Sequence, residues 1–272
     1  MQARPRYRLS VTVPLCMGAE CVLEGNPAHY ILQVVRLKPG DVLGLFNRTD
    51  GEWVAEIAEV KKRAVVLRVR EQLRKVSAGA PQLTVCFAPI KGGRLETIIE
   101  KATELGATVL QPVITQRTIV DKVNPERAEA IAREAAEQCE RIEWPEIREP
   151  VKLAGLLGNW PQDVPLIYGD ESGESATIHT VVTPALCRGP ALPEEKWDPG
   201  IAAQIGMTGW GILVGPEGGF TAEEFALLKR VPAAKGVSLG PRILRADTAV
   251  ITLCALTLAA WGDWDQLPRF AR

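Results

Sequence analysis

Two loops rich in glycine and proline follow apolar runs late in the chain, and each has the composition of a ligand-binding loop. The first reads GPEGGF at residues 215–220, and the second reads GPRILRAD at residues 240–247. Neither loop carries the Gly-Lys-Ser/Thr of a P-loop or the Gly-x-Gly-x-x-Gly of a dinucleotide site. Glu217 would repel a phosphate, whereas exposed backbone N–H and C=O groups suit a neutral heteroaromatic ring. We therefore expect an adenine-containing ligand without a triphosphate.

The glycines of these loops let the backbone approach a ligand closely and tolerate positive φ angles. They are Gly215, Gly218, Gly219 and Gly240. The two prolines, Pro216 and Pro241, stiffen the turns. A pair of tight turns that bind nothing is the alternative interpretation of the same residues.

Residues 82–272 alternate apolar strand-like runs with helical patterns, which indicates an α/β fold with a mostly parallel sheet covered on both faces. The predicted strands are LTVCFAPI, TVLQPVI, VPLIYG, WGILVG and GVSL. Thr221 and Glu224 predict a capping box at the start of a helix, and residues 249–261 predict a helix that is apolar all round. Ligands of such sheets bind at the carboxyl ends of the strands, so both loops are expected at one edge. Residues 170–209 show little periodicity and are interpreted as a surface excursion.

Residues 1–75 show short strand patterns separated by turns, which predicts a small β-barrel domain. One helix is predicted within it, over residues 26–36. A linker of small residues at 75–82 then leads into the second domain, residues 82–272.

Composition excludes several classes of protein. Apolar residues make up 46 % of the 272 residues, enough for a real core, and the six cysteines form no C-x-x-C pair, which disfavours a metal site or a disulfide framework. The N-terminus has no apolar signal segment, and the apolar run at 249–261 is shorter than the ~20 residues that span a membrane. We expect a cytoplasmic protein with reduced thiols, no metal and no membrane segment. Residues 1–75 carry 13 Lys and Arg against 8 Asp and Glu, a hint of an anionic partner that ordinary surface variation also explains.

The chain resembles the 16S ribosomal RNA (uracil-N3)-methyltransferases, which belong to the SPOUT superfamily of knotted, S-adenosylmethionine-dependent enzymes. The resemblance rests first on LVGPEGGFTAEE followed by SLGPRILRADTA, and VVRLKPGD, KGGRLETIIEKATELGA and EAAEQCER support it in the same order. Two positions depart from the family pattern: Glu140 replaces a smaller residue, and Asp247 stands where many members have Glu.

This resemblance implies a PUA-like, RNA-binding barrel over residues 1–75 and a SPOUT-like methyltransferase domain with a C-terminal trefoil knot. It also implies a homodimer, S-adenosylmethionine as cofactor, and 16S ribosomal RNA within the assembled small subunit as partner. On this basis we predict a set of cofactor-binding residues at three strand ends: Gly169, Leu213, Gly215, Glu217, Gly218, Leu239, Gly240, Ile243, Leu244 and Thr248.

Methylation of N3 requires removal of its proton and a group that holds the resulting anion. We predict that Arg245 is the donor to this anion; a surface pair with Asp247 is the alternative. Glu217 and Asp247 are the carboxylates available as a base, although Glu217 has its own loop as an alternative partner.

Two groups of basic residues are predicted to contact RNA: Arg4, Arg6, Arg8, Lys91, Arg94 and Arg141. The first three alternate along one strand and so share a face, where they are placed to track phosphates or to protect a solvated strand edge. An RNA-binding ribosome assembly factor with a vestigial cofactor site is the alternative function, and a different adenosine-binding enzyme is a third.

Overall fold

The computed structural model of this chain describes residues 5–76, 82–178, 180–181 and 209–264. The fold divides into two compact units, the first of Met1–Ala78 with Ala136–Trp144 and the second of Gly79–Ala135 with Pro145–Arg272. The first unit therefore takes in a later stretch of chain that the predicted domain of residues 1–75 did not include. Most of the predicted 170–209 excursion, residues 182–208, lies outside the described residues.

The first unit is built on a five-stranded mixed sheet in the order β1-β3-β4-β5-β2, in which only β1 and β3 pair in parallel. Its strands are β1 (Arg8–Ser10), β2 (Glu20–Glu24), β3 (Val42–Asn47), β4 (Gly51–Val60) and β5 (Ala64–Arg74). β1 and β2 end the ladder and do not pair with each other within the described residues, so the predicted barrel is a half-barrel. The predicted helix at 26–36 is a short α1 (Gly25–His29) continued by a π-helical turn (Tyr30–Val34).

Residues 136–144 join the first unit through a buried ionic cluster on Glu52, whose side chain is only 1 % exposed. Arg8 Nε and Arg74 Nε donate to its two carboxylate oxygens at 2.8 and 2.7 Å. The same two arginines donate to backbone carbonyls of the later stretch, Arg8 to those of Glu137 and Arg141 and Arg74 to that of Glu140. These hydrogen bonds satisfy carbonyls where a helix ends, and they explain why this stretch belongs to the first unit.

The second unit is a parallel sheet in the order β12-β10-β11-β6-β7-β8, with β9 also pairing β7. Its strands are β6 (Gln82–Phe87), β7 (Val109–Ile114), β8 (Glu146–Ile147), β9 (Val151–Lys152), β10 (Leu166–Gly169), β11 (Gly209–Val214) and β12 (Ala234–Val237). The five predicted strands are confirmed, and the two-residue strands β8 and β9 were not predicted. All pairs are parallel, so the carboxyl ends of β10, β11 and β12 lie at one edge.

Five helices accompany the sheet in the described residues: α2 (Gly93–Glu104), α3 (Pro125–Gln138), α4 (Leu153–Gly158), α5 (Ala222–Lys229) and α6 (Ala246–Trp261). α2 buries Ile98, Ile99 and Ala102, the apolar stripe that its sequence predicts. α5 has the predicted capping box of Thr221 and Glu224. α6 extends the predicted apolar helix by three residues at its start, and it buries Val250, Leu253 and Cys254.

Candidate functional site

A cavity of about 290 Å³ opens at the carboxyl edge of the parallel sheet, where the loops after β10, β11 and β12 meet. Its volume is near the lower end of small-molecule sites, ~300–1,000 Å³. Seven of the predicted cofactor residues line it: Gly169, Gly215, Glu217, Leu239, Gly240, Ile243 and Leu244. The other three do not line it: Leu213 is fully buried in the core, and Gly218 and Thr248 are exposed.

The loop after β11 is a tight turn that presents its backbone to the cavity. The N–H of Gly219 donates to the C=O of Pro216 at 2.9 Å, and Gly219 has a φ of 68°, a conformation that favours glycine. A β-carbon at Gly215 would lie 3.2 Å from the ring of Phe220. The turn therefore favours glycine at 219, a β-carbon at 215 would have to displace the Phe220 ring slightly, and Gly218 faces the side chain of Arg117.

A second loop, from the end of β7, braces this turn. The N–H of Gln116 donates to Glu224 Oε1 at 2.8 Å, while Glu224 Oε2 accepts from the N–H of Thr221 at 2.9 Å. Arg117 donates to the C=O of Gly218. The buried carboxylate of Glu224 thus joins two loops that are about 100 residues apart in sequence, a contact that a capping motif alone does not signal.

The loop after β12 forms the opposite wall of the cavity. Gly240 has a φ of 101°, and its N–H donates to Ser238 Oγ at 3.4 Å. The side chain of Ile243 lines the cavity mouth and is 89 % exposed, so it offers a bare apolar surface to a ligand. Arg242 also lines the cavity, whereas Arg245 does not; Arg245 is the N-cap residue of α6.

The loop after β10 supplies cavity residues that the sequence analysis missed, above all Asp170 and Glu171. Asp170 is 4 % exposed and accepts hydrogen bonds from the N–H of Ser172 and the hydroxyl of Ser175. Burial opposes ionisation of Asp170, but these hydrogen bonds outweigh it and hold its pKa below the ordinary value. The signal was present in the sequence, because two carboxylates directly follow the buried strand run VPLIYG.

Of the three predicted catalytic side chains, only one lines the cavity. Glu217 lines the cavity, and its Oε1 lies 3.6 Å from Arg94 Nη1. Asp247 lies in the first turn of α6, outside the cavity lining, and its buried Oδ1 accepts no hydrogen bond from any described residue. No ion pair joins Arg245 to Asp247 in the parts of the chain that the structure describes.

The residues predicted to contact RNA lie in different surroundings. Lys91 and Arg6 are exposed, and the guanidinium of Arg6 lies 5.5 Å from the ring centre of Tyr7. Arg4 lies outside the described residues, Arg94 pairs with Glu217, and Arg141 is half-buried in the first unit.

The prediction for Arg8 is wrong. Its side chain is 7 % exposed, it pairs with Glu52 and it lies over the ring of Phe46. Leu9 is the β1 residue that faces the core, and Arg8 lies on the opposite face of the strand, where it binds the carbonyls of Glu137 and Arg141 instead of facing solvent.

Within the described residues, no group of three or more His, Cys, Asp and Glu side chains is arranged to hold a metal ion. The helices of that part of the chain are all too short or too polar to cross a membrane. Cys16, Cys21, Cys86, Cys139 and Cys254 are free thiols. Burial raises the pKa of Cys254 to about 12, so this thiol is a buried apolar group of α6 rather than a nucleophile.

Comparison with known proteins identifies both units. A family described as an RNA methyltransferase domain matches residues 78–258, and one described as an RNA methyltransferase PUA domain matches residues 23–70. The ribosomal RNA small subunit methyltransferase E of Rickettsia conorii is 36 % identical over 227 residues, which cover 84 % of each chain. Its namesake in Synechocystis sp. is 33 % identical over 248 residues, covering 89 % of this chain and 74 % of the relative.

Two solved structures share the fold. A Legionella pneumophila protein described as a methyltransferase and solved with bound S-adenosylmethionine has 29 % identity and a TM-score of 0.74, over 95 % of this chain and 98 % of that one. The Neisseria gonorrhoeae ribosomal RNA small subunit methyltransferase E has 23 % identity and a TM-score of 0.77, over 96 % and 100 %. The chain belongs to the RNA methyltransferase family that includes these small-subunit ribosomal RNA enzymes.

Proposed function

We propose that this chain transfers a methyl group from S-adenosylmethionine to N3 of a specific uridine in 16S ribosomal RNA. The observation that carries the proposal is the cavity between the two Gly-Pro loops, in a chain that belongs to an RNA methyltransferase family. The sequence relatives that match over most of its length share this class of substrate by name.

The residues of the cavity fit the cofactor. Gly219 and Gly240, both at positive φ, bring backbone close to the cavity, where N–H and C=O groups can pair with the edge of an adenine ring. Leu239, Ile243 and Leu244 supply apolar contact, and Arg242 supplies a partner for the cofactor's carboxylate. When bound, S-adenosylmethionine supplies an electrophilic methyl group carried on a cationic sulfur.

Uracil N3 becomes nucleophilic only after its proton leaves. Glu217, at the cavity, and Asp247, in the first turn of α6, are the two carboxylates proposed to take that proton. Asp247 Oδ1 accepts nothing from the described residues but is buried outside the cavity lining, so Glu217 is the one of the two that stands at the cavity. Arg245 is proposed to donate to the anion that forms on the uracil carbonyl. The N3 electron pair then forms the new N–CH3 bond, while the broken S–CH3 pair stays on sulfur.

The RNA is proposed to approach basic residues of both units. Lys91 and Arg94 follow β6 at the carboxyl edge of the sheet, and Arg6 is exposed on the first unit. Arg4 and Arg141 remain predictions for the same role. The PUA domain match supports RNA binding by the first unit, and the assembled small subunit is the proposed substrate, which places the activity in the cytoplasm.

The trefoil knot and the homodimer are also part of the proposal. α6 is apolar all round, yet Ile251, Ala255, Leu256 and Ala259 are only half-buried. Packing this face against a second copy would remove that apolar surface from water. Sedimentation at micromolar concentration measures the dimer directly.

The proposed activity is tested on small subunits from a strain whose own gene for the enzyme is deleted. Subunits are incubated with the protein and tritiated S-adenosylmethionine, and the RNA is digested to nucleosides. Labelled 3-methyluridine is expected from assembled subunits, with free 16S RNA as the comparison. Label in a different nucleoside would contradict the N3 assignment, and an absence of label together with tight RNA binding would favour an assembly factor.

A further inference from the structure

Glu171 brings an uncompensated negative charge into the candidate cofactor cavity. It follows β10 directly and lines the cavity beside Gly219, where a β-carbon at position 219 would overlap its carboxylate. Its side chain makes no hydrogen bond or ion pair within residues 5–76, 82–178, 180–181 and 209–264, and it is exposed. A carboxylate at the wall of a cavity, with no partner of its own there, is available to a ligand.

The other charged groups of the cavity are already engaged or carry the opposite sign. Asp170 accepts hydrogen bonds from Ser172 and Ser175. Glu217 lies 3.6 Å from a nitrogen of Arg94, which offsets part of its charge. Arg242 is the cation among the cavity-lining side chains and suits a carboxylate. Glu171 is therefore the acidic group best placed to meet a positive charge on the ligand.

We propose that Glu171 makes the cavity select the positively charged cofactor over its neutral product. This inference rests on the proposed function. The methyl donor carries a sulfonium and an ammonium against one carboxylate, so its net charge is positive. The product, S-adenosylhomocysteine, is a thioether and has lost the sulfonium charge. The two ligands differ by one methyl group and one charge, so a nearby carboxylate stabilises the first more than the second.

The selection has a consequence for turnover. When the methyl group leaves, the attraction between Glu171 and the sulfur disappears at the same step, because sulfur keeps the electron pair of the broken bond. Product then dissociates more easily, and unreacted cofactor competes better for the free site. The glycine at position 219 allows the arrangement, since any side chain there would displace the Glu171 carboxylate.

The test compares the affinities of S-adenosylmethionine and S-adenosylhomocysteine by titration calorimetry. In Glu171→Gln, the preference for the charged ligand is expected to fall by about tenfold, which corresponds to ~1.4 kcal/mol. Affinity for S-adenosylhomocysteine is expected to change less than about twofold. Glu171→Asp should keep part of the preference because it keeps the charge. Rising salt should weaken the preference in the wild type and not in Glu171→Gln.

Glu174→Gln is the matched control. Glu174 lies three residues further along the same loop, pairs with Lys229 and does not line the cavity, so its loss should leave both affinities unchanged. An equal loss of affinity for both ligands in Glu171→Gln would overturn the inference, because it would place Glu171 against a part of the cofactor that both ligands share. Failure of the wild-type protein to bind either ligand would refute the proposed function itself, which is a different outcome.

Discussion

At the scale of single residues, Arg242 and Arg245 stand three positions apart but only Arg242 lines the cavity. If Arg245 holds the uracil anion, its removal should act on the transition state and not on the cofactor. Arg245→Ala is expected to lower the single-turnover rate by roughly 10²-fold, the effect of losing one preorganised donor. Arg245→Lys should recover part of it, because lysine keeps the charge but lacks the planar fork. Rapid-quench methyl transfer at saturating cofactor measures this rate.

Arg242→Ala serves as the comparison for that experiment, since it should weaken cofactor binding with a smaller effect on the saturated rate. The opposite result is that Arg242→Ala lowers the saturated rate while Arg245→Ala weakens cofactor binding. In that case Arg242 has the proposed catalytic role, and Arg245 serves only as the N-cap residue of α6.

Gly218 and Gly219 are adjacent, but their substitution by alanine is expected to have different effects on cofactor affinity. Gly219→Ala places a β-carbon on the Glu171 carboxylate at a φ of 68°, so cofactor affinity should fall by about tenfold or more. Gly218→Ala meets the flexible side chain of Arg117 at 3.2 Å, outside the cavity, and should change affinity little. Calorimetry with S-adenosylmethionine compares the two, with circular dichroism to check folding. A greater loss of cofactor affinity in Gly218→Ala than in Gly219→Ala would indicate that the ligand contacts Gly218, as predicted from the sequence.

The motifs located the site but not every side chain in it. Glycine and proline spacing identified both loops, because their backbone requirements are local. Which glycine faces the ligand depends on how the turn closes, as the hydrogen bond from Gly219 to Pro216 shows. Asp170 and Glu171 were missed because no glycine motif marks the loop after β10.

At the scale of elements, Glu224 connects the start of α5 to the loop after β7. Glu224→Ala removes acceptors from the N–H groups of Thr221 and Gln116, so the protein should lose about 1–2 kcal/mol of stability. The glycine loop should also loosen, which weakens cofactor binding several-fold. Urea unfolding and calorimetry measure the two effects.

Glu223→Ala is the matched control for Glu224→Ala, because Glu223 is the exposed neighbour in the same helical turn. Its effect on stability should stay within ~0.5 kcal/mol. Equal effects of the two substitutions would mean that only the helix terminus, and not the link to Gln116, matters.

Elements with a long apolar pattern were predictable, and those held by tertiary contacts were not. The capping box and α6 follow from local sequence, and the structure confirms both. β8 and β9 have two residues each and exist only through their pairing with β7. The helix predicted at 26–36 changes to π-helical hydrogen bonding at Tyr30, which periodicity does not reveal.

At the scale of the whole molecule, Arg8 is a structural residue of the first unit. Arg8→Ala removes one of the guanidinium groups that pair with the buried Glu52, and it removes a donor to the carbonyls of Glu137 and Arg141. A loss of about 3 kcal/mol is expected, measured as a shift in the denaturant midpoint of the first unit. Arg6→Ala removes an exposed charge nearby and should shift it by less than ~0.5 kcal/mol. Similar shifts in both variants would contradict the buried role of Arg8.

The ionic cluster on Glu52 also limits how this chain can be divided or recombined. A fragment ending at the 75–82 linker would keep Arg8, Glu52 and Arg74 but lose the carbonyls of residues 137–141 that the two arginines bind. A fragment beginning at the linker would carry the 136–144 stretch without its partners. Gene fusion or domain exchange at the linker would therefore break a folding unit. We expect the two units to be inherited together as one continuous chain.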